Sequence, residues 1–183
     1  IEFSSSKLQV SRQQFNMTVN TFPGEMILLF NGKKLVVGQD FIPDAESGSI
    51  HKKDLSVVIY QDSSSLINLQ NKALLIESTL FTKDKLLRRK IESLFPAVVI
   101  LLNEKKLTGD ISDKQLPYTL IHLHHSVMPD NVKTLSIYIK AKLLRLASFE
   151  NIIAKQEGKS HDSTIIISAH YDHLGNFGKG VYC

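Results

Sequence analysis

The chain has 183 residues, 43% hydrophobic and 22% charged, enough for one large domain or for a small domain with part of another, and enough to bury a core. Its 22 Lys and Arg against 18 Asp and Glu give a net charge of +4, with basic residues spread from Lys7 to Lys179 and acids between them; no dense phosphate-binding stripe exists, and nucleic-acid binding is set aside. No stretch approaches the ~18–20 uninterrupted apolar residues of a membrane span, the start IEFSSS lacks a signal-peptide layout, and a single cysteine, Cys183, excludes an internal disulfide and a multi-cysteine metal site.

The first third reads as β-structure. GEMILLF and KKLVVG flank Asn31-Gly32, a pair that tolerates positive φ and predicts a hairpin. PDAESGS, residues 43–49, is rich in turn formers and predicts a domain boundary. LSVVIY (55–60) and KALLIE (72–77) then read as short buried strands. TKDKLLRRKIESL (82–94) carries Leu86, Leu87, Ile91 and Leu94 at helical spacing, which predicts an amphipathic helix with Thr82 as N-cap and its basic residues on the wet face. Phe95-Pro96 ends that helix, and AVVILL (97–102) is the next strand. Strand, helix, strand favours a parallel pair with the helix packed across it.

LPYTLIHLHHS brings another strand, and MPDN near Asp130 predicts a second boundary. TLSIYIKAKL alternates, with Leu135, Ile137, Ile139 and Ala141 on one side, as a half-buried strand does. FENIIAKQEGK is a strand that breaks at Gly158. The run TIIIS, within residues 164–169, is continuously apolar, the mark of a strand covered on both faces of an α/β sheet.

That run leads into His170, Asp172 and His173. Reactive groups in open α/β sheets lie at the carboxyl ends of central strands. A neutral imidazole there can ligate zinc, and a carboxylate two residues on can hold its second ring N–H. A histidine near a strand end also serves structurally, and the spacing of His170 and Asp172 alone leaves both readings open. His122 and His124 of HLHH share one face of a strand, but no nearby Cys or carboxylate in the sequence completes a site, so they read as structural or solvent-facing. His51 and His161 lie in expected turns and suggest only exposure.

The full stretch ENIIAKQEGKSHDSTIIISAHYDHLG, residues 150–175, resembles the segment in which the co-catalytic zinc metallopeptidases of family 28, the aminopeptidase Y and glutamate carboxypeptidase-like enzymes, carry their first metal ligand. The resemblance implies His170 as a zinc ligand, Asp172 as the non-ligating carboxylate that orients it, and His173 and Gly175 as shaping the loop. It implies a fold of class α/β: a β-rich lead-in over residues 1–49, a protease-associated α/β domain over 50–130, and over 131–183 the first strands of the zinc-exopeptidase mixed sheet. In this family two zinc ions polarise the peptide carbonyl and activate a shared water whose proton a glutamate removes. The Gly-Ala-Asp-Asp-like stretch, the Glu-Glu pair and the distal His that follow in the family are not in this sequence. The chain is therefore expected to be a fragment of a secreted or periplasmic aminopeptidase acting on peptides, inactive by itself and unable to retain zinc. The competing expectation is a non-catalytic protease-associated module that binds peptides or proteins.

Overall fold

A computed structural model describes residues 8–104, 106–159 and 162–169, with the backbone alone of the short antiparallel pair Asn176–Phe177 and Val181–Tyr182. Asn31 and Gly32 take φ of 46° and 83°, the backbone of a two-residue turn that matches strand twist, so β2 (Ile27–Phe30) returns at once as β3 (Lys33–Lys34). The Asn31 side chain does more than tolerate this geometry. Its Oδ1 accepts the backbone N–H groups of Lys133 (2.9 Å) and Thr134 (3.1 Å) and its amide donates to the Asn131 carbonyl, which pins the hairpin to the start of β9 (Thr134–Ile139).

From that junction an eight-stranded mixed sheet develops in the order β3-β2-β9-β5-β6-β7-β8-β4. The remaining strands are β4 (Phe41–Pro43), β5 (Ile50–Ile59), β6 (Ala73–Glu77), β7 (Val98–Asn103) and β8 (Thr119–His124). β5, β6, β7 and β8 are mutually parallel, whereas β2, β9 and β4 enter antiparallel to their neighbours. The expected strand, helix, strand unit is present as β6 and β7 with helices between them. The helix itself differs from expectation: it is split into α1 (Ser78–Lys83) and α2 (Lys85–Ser93). Asp84, not Thr82, is the N-cap of α2, its Oδ1 accepting the N–H groups of Leu86 (3.0 Å) and Leu87 (2.9 Å). Thr82 instead lies inside α1 and returns its hydroxyl to the Ser78 carbonyl. Of the apolar positions in α2, Ile91 is buried while Leu86 is 77% exposed, so the helix meets the sheet along a narrower stripe than its sequence suggests.

The parallel strands are apolar on both faces because both are covered. On one side Leu74, Ile76, Val99, Leu101 and Leu120 pack with Phe81 and Ile91 of the helices. On the other, Leu75, Ile100, Ile121 and Leu123 pack against Leu28, Phe30, Phe41, Leu135 and Ile137. That second cluster draws on strands from both ends of the order, so the sheet curls around it; residues 35–41 join the two ends through a Val37–Phe41 bridge. A bulge between Lys52 and Leu55, where Asp54 takes φ 50°, interrupts the antiparallel pairing of β5 with β9, which resumes at Leu55 and Ser56 before parallel pairing with β6 begins at Val57.

This one sheet takes strands from both sides of the boundaries expected near residues 49 and 130. The turn-rich run 43–49 is not a linker but a buried corner. Ser47 is fully buried, its hydroxyl exchanging hydrogen bonds with the backbone of Leu120, and the Gly48 N–H donates to the Tyr118 carbonyl at 2.9 Å. Turn composition reports backbone direction and leaves open what covers the turn. Beyond the sheet, β1 (Gln9–Thr21) and β10 (Lys142–Lys155) form a separate two-stranded antiparallel ribbon with Phe15 stacked on Phe149 at 5.9 Å. Residues 164–169, expected to be a buried strand, have no strand partner among the described residues, and Ile165, Ile166 and Ile167 are 90%, 85% and 92% exposed.

Two substitutions test the corner and the cap. A Cβ on Gly48 would lie 2.6 Å from the Leu116 carbonyl oxygen and 3.1 Å from that of Tyr118, both backbone atoms, so Gly48→Ala is expected to cost about 1–3 kcal/mol in urea unfolding. Asp84→Ala, which removes only the cap of a surface helix, is expected to cost about 1 kcal/mol. A Gly48→Ala protein as stable as the parent would show that the corner opens freely.

Candidate functional site

The residues carrying the family resemblance, His170 and Asp172 with His173 and Gly175, lie outside the described residues. So do His161 and Cys183. Among the described residues no group of three or more His, Cys, Asp or Glu side chains is placed to hold a metal ion. The described side chains therefore do not fit a zinc site.

What the fold does bring together is a polar cluster that the sequence kept far apart. β8 places His122 on the helix-facing side, between Leu120 and His124, and the antiparallel pairing of β4 with β8 brings Asp44, just past the end of β4, alongside it. His122 Nε2 lies 3.0 Å from Asp44 Oδ2, with both side chains 25% exposed. A carboxylate can only accept here, so Nε2 carries the proton. The other ring nitrogen, Nδ1, faces the Asn103 amide nitrogen at 3.4 Å, an amide that also donates to the Leu101 carbonyl. Both ring nitrogens thus face hydrogen-bond partners within the protein. The carboxylate missing from the sequence reading of His122 is supplied from 78 residues away, a separation that no local pattern reveals.

Partial burial alone would push the Asp44 carboxyl up. The hydrogen bond from His122 and the backbone N–H of Glu46, with the positive fields of the imidazolium when it forms and of Arg88, outweigh burial and hold Asp44 below its ordinary value. Arg88 belongs to a second cluster on the same side. Its Nε donates to Glu92 Oε1 at 2.9 Å, the Tyr118 hydroxyl donates to the same oxygen at 2.8 Å, and the guanidinium lies over the Phe81 ring at 5.3 Å. Burial is offset at Glu92 by these two donors, so its carboxyl is also held low, whereas burial and the bond to Glu92 both push the Tyr118 hydroxyl up. Together the two clusters clamp α2 and β4 onto β8.

His124 is turned to Ser126, its Nδ1 2.7 Å from the hydroxyl, and His125 lies 3.8 Å from Glu77. The expected shared face of His122 and His124 therefore carries two separate local bonds. His51, expected in a turn, is on β5 and meets the edge of the Tyr138 ring at 5.2 Å.

The sign of the pH effect follows from the direction at Asp44. A carboxyl held low in the folded state stabilises above its unfolded value, near 3.9, and that contribution is lost as the pH falls through the lower folded value. Asp44→Asn is expected to lose about 1 kcal/mol at pH 7 and to unfold less steeply than the parent on acidification below about pH 4. Parallel acid titrations followed by circular dichroism check this; identical acid slopes would remove Asp44 from the clamp.

With this geometry in place, comparison with known proteins gives a definite pattern. No protein-family model and no curated protein matches the chain. Among solved structures its fold is similar to that of BSAP, a zinc aminopeptidase from Bacillus subtilis, at 16% identity and TM-score 0.56, over 87% of this chain and 39% of that one. It is similar to an aminopeptidase from Aneurinibacillus sp. strain AM-1, at 16% identity and TM-score 0.50, over 88% and 41%. A peptidase M28 precursor from Shewanella amazonensis matches at 9% identity and TM-score 0.51, over 84% and 42%. At these identities the likeness is one of fold. The chain spans about two fifths of the length of the structures it matches.

Proposed function

We propose that this chain is part of a zinc-dependent exopeptidase of the M28 type, an aminopeptidase releasing N-terminal residues from peptides. The observation that carries the reading is the fold likeness to zinc aminopeptidases over nearly nine tenths of the chain, together with the AHYDHLG segment that follows. In this reading His170 is a zinc ligand and Asp172 holds its second ring N–H, with the other ligands and the general base supplied by a longer chain. Zinc, two ions in the intact enzyme, would polarise the scissile carbonyl and activate water. A neighbour named as a precursor accords with a secreted or periplasmic enzyme, and no helix among the described residues is long and apolar enough to cross a membrane.

Within this reading residues 20–142 form the protease-associated unit, revising the boundaries expected from turn composition. Support comes from the ribbon: β1 leads into the sheet and β10 leads out, closing where Thr21 pairs with Lys142 and the Thr21 hydroxyl donates to the Lys142 carbonyl at 2.9 Å. A chain that enters and leaves through one paired base is the geometry of an insertion.

Two measurements test the proposal. In a chain extended to the length of the neighbours, zinc is expected to co-purify and aminoacyl substrates to be hydrolysed. His170→Ala should abolish most of that activity, and Asp172→Asn should weaken metal affinity or activity by about 10- to 100-fold. The 183-residue chain is expected to do neither. An extended chain indifferent to His170→Ala would leave a non-catalytic binding module as the better account. Separately, residues 20–142 expressed alone are expected to unfold cooperatively in urea.

A further inference from the structure

We propose that the outer face of β2, β9 and β5 is a docking surface for an extended acidic peptide segment carrying an aromatic or aliphatic side chain. The proposal does not depend on the peptidase reading. The solvent side of a half-buried antiparallel sheet is ordinarily polar. Here it is not. Residues pointing away from the core on β2 are Ile27 and Leu29, and the strand register sets Ile27 opposite Tyr138 and Tyr138 opposite His51, so an apolar row with an imidazole at its end crosses three strands. Next to it, Leu29 lies opposite Ser136. The helices pack over β6, β7 and β8 and leave these rows uncovered. The result is a groove of about 370 Å³ lined by Ile27, Leu29, Tyr138, His51, Lys52 and Lys53.

Charge selects the occupant. The titratable groups lining the groove are His51, Lys52 and Lys53 from β5 and Tyr138 from β9, with Asp54 next to them along β5. Asp54, the one acid, accepts a hydrogen bond from the Ser136 hydroxyl at 3.3 Å while its own N–H donates back to that oxygen at 3.0 Å. On the neighbouring hairpin, Lys34 is paired with Glu25 at 3.0 Å. Lys52 and Lys53 are in no ion pair among the described residues, and both line the groove. His51 meets the Tyr138 ring edge-on, at an interplanar angle of 87°, which holds the ring upright as a wall. A neutral apolar ligand would leave two ammonium groups unanswered, and a purely acidic one would leave the Ile27–Tyr138 wall unused. An extended segment puts alternate side chains on one face about 6.6–6.8 Å apart, the spacing of Tyr138 and Ser136 along β9, so carboxylates can flank an apolar residue in register with these rows.

The test uses the 183-residue chain and a fluorescein-labelled, terminally blocked pentapeptide, Asp-Ser-Phe-Ser-Asp, which when extended puts its two carboxylates and the Phe ring on one face, and whose blocked ends also keep it from being an exopeptidase substrate. Fluorescence anisotropy is expected to show saturable binding below about 1 mM that weakens as salt rises from low to high ionic strength. The double substitution K52E/K53E is expected to weaken it about tenfold, Tyr138→Ser by a similar factor, and the Asn-Ser-Phe-Ser-Asn control peptide is expected to bind at least as weakly. Urea midpoints near the parent's are expected for both exposed-site variants, so lost binding would not reflect lost folding. The proposal is overturned by absence of binding to the parent chain, by variants that bind as it does, by equal affinity for the Asp and Asn peptides, or by sedimentation showing that Tyr138→Ser dissociates a self-associated parent.

Discussion

The polar side chains buried among the described residues, Asn20, Ser47 and Thr119, make their hydrogen bonds at one corner, the turn between β4 and β5. The Asn20 amide donates to the carbonyls of Ala45 and Ser47, each at 2.9 Å, and its Oδ1 accepts from Gln115 at 2.8 Å. The Thr119 hydroxyl donates to the Gly48 carbonyl at 3.0 Å, and Ser47 binds both the N–H and the carbonyl of Leu120. Buried polar groups are tolerated when every one of them is paired, and this set is. The end of β1, the turn after β4 and the start of β8 are thus tied at a single point, and Gly48 is required there because the Leu116 and Tyr118 carbonyls leave no room for a Cβ. The curl of the sheet follows: β4 is held antiparallel against β8 while residues 35–41 reach back to the hairpin at the opposite end.

The same corner sets the electrostatics of the helix side. Asp44 reaches His122 because the turn begins just where β4 stops pairing with β8, and Glu46 lends the carboxylate a backbone N–H at 2.9 Å. The Arg88, Glu92 and Tyr118 cluster then couples α2 to the strand that carries His122. These polar groups are half-covered and mutually satisfied. Such an arrangement orients packed elements, and its value lies in specificity of packing more than in a large net stabilisation.

Legibility in the sequence tracked the range of the interaction. The Asn31-Gly32 hairpin, the parallel β6 and β7 unit and the alternation of Leu135, Ile137 and Ile139 are local patterns, and each is present. The cap of α2 was misplaced by two residues because both Thr82 and Asp84 can cap; only the split between α1 and α2 decides it. Asp44 with His122 could not be read, since no spacing rule joins residues so distant, and the turn-rich run 43–49 concealed a buried corner because composition says nothing about coverage. At residues 164–169 the continuous apolar run predicts a strand covered on both faces. Yet a strand is defined by its neighbours, and none is present for this run among the described residues.

That run and the ribbon pose the same physical problem. Two-stranded antiparallel sheets are marginal in water unless a third strand or a packed layer covers them. β1 and β10 extend for 13 and 14 residues and have apolar side chains, Val10, Phe15, Phe149 and Ile153, that stay substantially exposed. The base of the ribbon is fastened by Asn20 at the corner and by Thr21 to Lys142; farther out, besides the backbone ladder, the Phe15–Phe149 stack, the ion pair of Arg12 with Glu150 at 2.9 Å and a hydrogen bond from the Asn151 amide to Gln13 Oε1 at 3.3 Å tie the strands. Exposed pairs of that kind contribute little. Three consecutive exposed isoleucines, beginning ten residues after the end of β10, add apolar surface that water does not favour. The sheet body, by contrast, has its apolar strands enclosed on both sides. The demand for further covering surface therefore falls on the ribbon and on residues 165–167, the parts that the proposed reading assigns to a catalytic sheet larger than this chain.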